Sequence, residues 1–211
     1  MIPALEPKPR SARRNTRIDK RSGVSQRMPI TCLENVVSNA ERRALIHHEA
    51  TIVPRCSDIY DALPSLTGKF ELEYEGEMRG ADNVARDVIR AATARIFKKH
   101  FDGVPLHPVV QWFELGGKLK YPDGAASADV YAQLKKIQGL MEKTQALGIK
   151  AKDDPALLVA GAEFILEGLY ALKKISRNEE LGYYAEQPKP GRAEPTPEDL
   201  GGLGPRRRPI N

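Results

Sequence analysis

Apolar residues recur at intervals of three and four through most of the middle of this chain, the spacing that lines one face of an α-helix. Leu33, Val36, Val37, Ala40 and Ala44 form the first such row. Ahead of them Gly23 and Pro29 punctuate a turn. Thr31, with Glu34 three residues later, makes a capping box that predicts a helix starting near Cys32. Ser57 caps a brief helix through Asp58, Ile59, Tyr60 and Leu63, which Pro64 ends. Asp82 caps the next, with Val84, Val88, Ala92 and Ile96 in one row and Lys98, Lys99 and His100 at its negative end before Gly103. Residues 108–113 are a short apolar helix or extended segment anchored by Trp112 and Phe113. Ser127 caps a helix through Val130, Leu134, Ile137 and Met141, bent or frayed at Gly139 and stopped by Gly148. Asp154 followed by Pro155 opens the last, through Leu158, Gly161, Ile165, Leu169 and Leu172.

Two stretches break this rhythm. Over residues 69–74 the pattern alternates, with Phe70, Leu72 and Tyr74 on one face and Lys69, Glu71 and Glu73 on the other, as in a half-buried strand. A weaker alternation over residues 115–121 sets Leu119 and Tyr121 beside Lys118 and Lys120, and its outer charges complement the glutamates of the first. The expectation is a mainly α fold with a small two-stranded antiparallel β ribbon. Beyond Ser176 the chain turns polar and rich in Pro and Gly, a composition that cannot bury enough apolar surface to offset chain entropy of ~1–2 kcal/mol per residue.

Composition refines this. With 211 residues, 41% of them hydrophobic and 29% charged, the chain can hold a real core. Its longest apolar runs fall short of the ~18–20 residues a membrane span needs. The first fifteen residues lack the apolar centre of a secretory signal, so a cytoplasmic protein is expected. Cys32 and Cys56 have no zinc-type spacing and read as reduced, buried thiols. Of the net charge of +5, residues 1–27 carry +6, from eight Lys or Arg against Glu6 and Asp19, which leaves residues 28–211 at −1. The high pI of about 9.2 thus belongs to one arm and not to a basic binding face. That arm, with Arg206, Arg207 and Arg208, allows a nucleic-acid-associated adaptor, although no aromatic residues are interleaved with its basic ones.

The segment before the first helix holds Gly23, Ser25 and Arg27, a GxSxR pattern that resembles the sensor-2 region of AAA+ ATPases of the MoxR and magnesium-chelatase I-subunit type. The runs ENVVSNAERRAL, IVPRCSDIYDALPSLTGKFELEYEGE and AEFILEGLYALKKIS, in that order, resemble the lid and C-terminal region of the magnesium-chelatase-like branch over residues 13–176. The resemblance implies a lid-like helical unit over 21–66 and a C-terminal helical region over 67–175, in which the alternation places the ribbon; together with a basic flexible arm over 1–20 and a disordered tail over 176–211, both read from composition, these make up a helical lid-like bundle. It also implies that Arg27 senses nucleotide, with Gly23 and Ser25 shaping the turn, and that the protein joins an AAA+ core or like subunits in a ring. No GxxxxGK[ST] phosphate loop and no apolar strand ending in Asp-Glu occur, so the hydrolytic core of such an ATPase is missing. ATP and Mg²⁺ are expected only in combination with such a core, and the chain alone should be inactive.

Other candidates are weaker. Arg42 and Arg43 serve equally as subunit contacts or as partners in an intra-domain ion pair. His47, His48 and Glu49 do not make a metal site, because adjacent helical histidines point about 100° apart. Asp58 with Asp61, and Glu163 with Glu167 at i and i+4, are carboxylate pairs with the makings of acid–base chemistry, but solvated helix faces are their ordinary place.

Overall fold

The computed structural model describes residues 27–67, 74–178 and 180–186. The fold is mainly α, with one two-stranded antiparallel sheet among the described residues.

Helix α1 (Met28–His47) starts four residues earlier than the capping box predicts. Pro29 in the first turn has no amide to satisfy and a preset φ, so helix forms there without a side-chain cap. The Thr31 amide already donates to the Arg27 carbonyl at 2.9 Å, and the Thr31 carbonyl accepts from Asn35 Nδ2 at 2.8 Å. The buried face is also rotated. Met28, Cys32, Val36, Ala40 and Ala44, every fourth residue, face inward, while Leu33 is 57% exposed and Val37 lies at the surface. Both rows satisfy helical spacing, and the choice falls to the elements packed on α1.

Those elements are α2 (Cys56–Asp61) and α3 (Leu63–Thr67). Arg55 and not Ser57 is the N-cap of α2; its extended backbone lets its amide donate to Asp58 Oδ2 at 2.7 Å. Pro64 lies in the first turn of α3 instead of ending a helix. Of the strand expected over 69–74, residues 69–73 lie outside the described residues, and Tyr74 opens the short helix α4 (Tyr74–Arg79).

Helix α5 (Ala81–Phe101) is capped by Gly80 at φ 82°, a conformation that favours glycine, with Asp82 in its first turn rather than at its cap. It joins two apolar cores. Val84 and Ala85 pack with Met28, Cys32, Val36, Ala62, Leu63 and Leu66. One end further on, Phe97 stacks on Phe101 with ring centroids 4.5 Å apart inside the larger core of α6 (His107–Glu114), α7 (Ser127–Leu134), α8 (Leu140–Lys143) and α9 (Pro155–Ala171). The first core therefore draws on residues beyond 66. Residues 108–113 are helical, with Phe113 fully buried and Trp112 against it edge-on at 5.0 Å. The single helix expected from Ser127 to Gly148 is broken: α7 has Ala126 and not Ser127 at its N-cap and ends at Leu134, and Gly139, at φ 77°, precedes the separate α8. Asp154 caps α9 by accepting from the Ala156 amide at 2.8 Å.

The ribbon lies elsewhere than expected. Strands β1 (Ile175–Asn178) and β2 (Gly182–Ala185) pair Ile175 with Ala185 and Asn178 with Gly182, and all but Ile175 fall inside the segment assigned to the tail. From residues 115–121 only Leu119 joins, exchanging hydrogen bonds of 3.0 and 2.9 Å with Tyr183. The hairpin is held by tertiary burial of Ile175 and Tyr183, which a polar local sequence conceals. A Cβ on Gly182 would stand 2.1 Å from the Leu119 carbonyl oxygen, so glycine is required for this approach.

Candidate functional site

Helix α9 is apolar all round, and Glu163 and Glu167 are its only charged residues. A helix of that kind is buried, and charges carried into a core must be paired. Both glutamates are 2% exposed, contrary to the solvated face expected for them. Their i, i+4 spacing aims them together at α2, the hairpin and the loop before α7.

Glu167 is the junction. Its Oε2 accepts from the Tyr60 hydroxyl of α2 at 2.8 Å, and its Oε1 accepts from Arg177 of β1 and from the Tyr183 hydroxyl of β2. One turn earlier Glu163 accepts from the Tyr121 hydroxyl at 3.0 Å and faces Arg55 Nε at 3.7 Å, a Coulombic pair and not a hydrogen bond. Burial raises the Glu163 pKa, and the Arg55 charge opposes that rise. A second layer fixes Arg55 from behind. Asp58 bonds the Arg55 amide with one oxygen and the Arg43 guanidinium with the other, while Arg43 Nη2 donates to the Val53 carbonyl at 2.6 Å.

Three arginines (Arg43, Arg55, Arg177) thus oppose three carboxylates (Asp58, Glu163, Glu167), and all of their side chains but Arg177 are at most 4% exposed. Burial, reinforced by the charge of Glu167, pushes the hydroxyls of Tyr60 and Tyr183 up; burial and Glu163 do the same for Tyr121. The Cys56 thiol is raised well above its usual value by burial and then by Glu167 and Glu163, so it is a neutral packing group and not a nucleophile. Charge-balanced, and with its three carboxylates at most 4% exposed, the cluster is built to join helices to the hairpin.

The residues singled out in the sequence do not converge. Arg27 is exposed at the N-cap of α1, and Gly23 and Ser25 lie outside the described residues. Arg42 is exposed one turn from the end of α1, whereas Arg43 is 4% exposed and committed to Asp58, so of the two possible subunit contacts only Arg42 is available. Asp58 and Asp61 part company, one buried in the network and one at the surface. His47 Nε2 lies 2.7 Å from the Gly124 carbonyl oxygen and Glu49 accepts the Ser127 amide at 2.6 Å, so both tie α1 to the loop before α7. Arg55, Tyr60, Tyr121, Arg177 and Tyr183 had no local pattern to mark them. The available signal was α9 itself, because two carboxylates on a wholly apolar helix demand partners.

Compared with protein-family models, with curated proteins and with solved structures, the chain gives no match. No helix of the described residues is long and apolar enough to cross a membrane.

Proposed function

We propose that this chain is a non-catalytic interaction module, the lid and C-terminal helical part of a magnesium-chelatase-like AAA+ ATPase, which acts on ATP only beside a core that supplies the phosphate loop. The observation that carries the reading is the placement of Arg27. The GxSxR pattern ends on this residue, and its exposed side chain stands at the head of a 20-residue helix anchored by its buried row to the rest of the molecule. A rigid helix presents such a side chain to a neighbouring domain better than a loop does.

One charge-assisted hydrogen bond contributes ~1.5–3 kcal/mol, whereas millimolar affinity needs about 4 kcal/mol. The chain alone should therefore bind ATP no tighter than millimolar and hydrolyse none. In this reading it works in the cytoplasm with like subunits in a ring, and the exposed Arg42 is a subunit contact. The test is to supply the missing part. Fused behind a related core that carries the phosphate loop, the chain should support ATP turnover. Arg27→Ala should then lower turnover by removing a contact to charge developing on the γ-phosphate, and Arg27→Lys should rescue only in part, because an ammonium lacks the planar fork. An active fusion indifferent to Arg27→Ala refutes the role given to this residue.

A further inference from the structure

At the C-terminal end of α9, basic side chains of α5 and β1 meet two tyrosines. Arg86 and Arg90 sit one turn apart on α5. Arg86 Cζ is 5.7 Å from the ring centroid of Tyr60, and Arg177 Cζ of β1 is 5.0 Å from the same ring. Arg90 Cζ lies 4.7 Å from the Tyr170 centroid, and its Nη2 donates to the Tyr170 hydroxyl at 2.6 Å. The turn that leaves α9 adds Lys173 and Lys174, both exposed, whose amides donate to the carbonyls of Tyr170 and Leu169 at 3.0 and 2.9 Å. Among the described residues, two of these five cations are paired with carboxylates. Asp87 lies 3.4 Å from Arg79 and 3.7 Å from Arg90, and Glu167 is buried beneath Tyr60 and Arg177. In a body that is nearly neutral, this is a local excess of positive charge.

Closing the negative end of α9 accounts for Lys173 and Lys174. It does not account for Arg86, which is exposed on a different helix, is paired with no carboxylate among the described residues, and lies against an aromatic ring. Alternation of guanidinium groups with aromatic rings on one surface is the arrangement that holds a nucleic-acid strand, with phosphates on the cations and bases against the rings and guanidinium planes. We propose that this surface, made by α5, the end of α9 and β1, binds single-stranded nucleic acid without sequence preference. It is separate from Arg27 and does not depend on the ATPase reading. The aromatic residues missing from the basic arm are here supplied by Tyr60 and Tyr170, brought together only by the fold.

The test is fluorescence anisotropy of a labelled fifteen-nucleotide oligothymidine with the full chain, titrated with salt. Arg86→Glu/Lys174→Glu reverses two exposed charges outside the buried network, Arg86→Ala/Lys174→Ala is the milder version, and Arg13→Glu/Arg14→Glu alters the arm. Binding at low salt should weaken with a log–log slope of roughly −0.7 per phosphate contact, so the reversal should flatten that slope by roughly 1.4 and weaken affinity at least tenfold. The alanine pair should fall in between, and the arm variant should bind nearly as the parent does. The proposal is overturned if the parent does not bind at low salt, if the arm variant abolishes binding while both patch variants retain it, or if a duplex of equal length binds as tightly as the single strand.

Discussion

Glu167 receives donors from three elements, and its removal is the most informative perturbation of this molecule. In Glu167→Ala the hydroxyl of Tyr183, a residue only 5% exposed, loses its acceptor, a loss that costs ~1–3 kcal/mol for a buried polar group. Arg177, with 29% of its side chain exposed, recovers part of its hydration, so only a fraction of the ~3–5 kcal/mol typical of a broken buried ion pair applies to it. Tyr60 is half-buried and loses about as much as an ordinary hydrogen bond, ~1 kcal/mol. Together these place the loss at about 3–5 kcal/mol, a large share of the ~5–15 kcal/mol that holds a typical domain. For a chain of this size that corresponds to a fall in Tm of roughly 6–20 °C. Urea unfolding followed by the fluorescence of Trp112, the sole tryptophan, measures it. Tyr183→Phe, which removes one donor and leaves the carboxylate its other two partners, should cost about 1 kcal/mol. Native-state hydrogen exchange of Glu167→Ala should show the hairpin amides of Ile175–Asn178 and Gly182–Ala185 opening first. A loss below 1 kcal/mol, or an unchanged hairpin, would show that Glu167 does not hold the ribbon to the helices.

Three further outcomes are expected. Because the folded-state pKa values of Tyr60, Tyr121 and Tyr183 are raised, the stability from keeping these phenols neutral is fully present below the unfolded phenol value of about 10 and is lost as pH rises above it. At about 1.4 kcal/mol per pH unit for each group, three groups make the loss about 4 kcal/mol per unit; absorbance at 295 nm, taken as the difference between the parent and a Tyr→Phe variant at each of the three positions so that the other tyrosines cancel, should register them only with the unfolding transition, and their reversible titration in the folded state near pH 10 would contradict the network. Gly168→Ala places a Cβ 1.9 Å from Phe97 Cδ2 and should cost ~1–3 kcal/mol or more, whereas Gly161→Ala meets only the flexible end of Ile149 at 2.6 Å and should cost less; thermal melts that reverse this order would refute the α5–α9 packing. Val36→Ala should destabilise by about 1–3 kcal/mol while Leu33→Gln stays within about 0.5 kcal/mol, and equal effects would mean that the buried face of α1 is the other row.

Sequence by itself determined the helical class and most of the helices, because the apolar spacing around Val84, Leu134 and Ile165 and the Asp154–Pro155 start are local signals that need no partner to be read. It also marked Gly139 as a weak point, where the chain takes a left-handed conformation that glycine accepts readily, but not that α7 ends earlier, at Leu134. Tertiary structure decided which face of α1 is buried. Met28 and Cys32 compete with Leu33 and Val37 on equal spacing, and α2, α3 and the start of α5 break the tie. The ribbon at 175–185 depends on Leu119, more than fifty residues away, and on a glutamate in another helix, so no local alternation announces it. The polar cluster shows the same division. That Glu163 and Glu167 share a face follows from their spacing, but that they are buried, and against Arg55, Tyr60, Tyr121, Arg177 and Tyr183, depends on side chains from four separate stretches meeting where water is excluded.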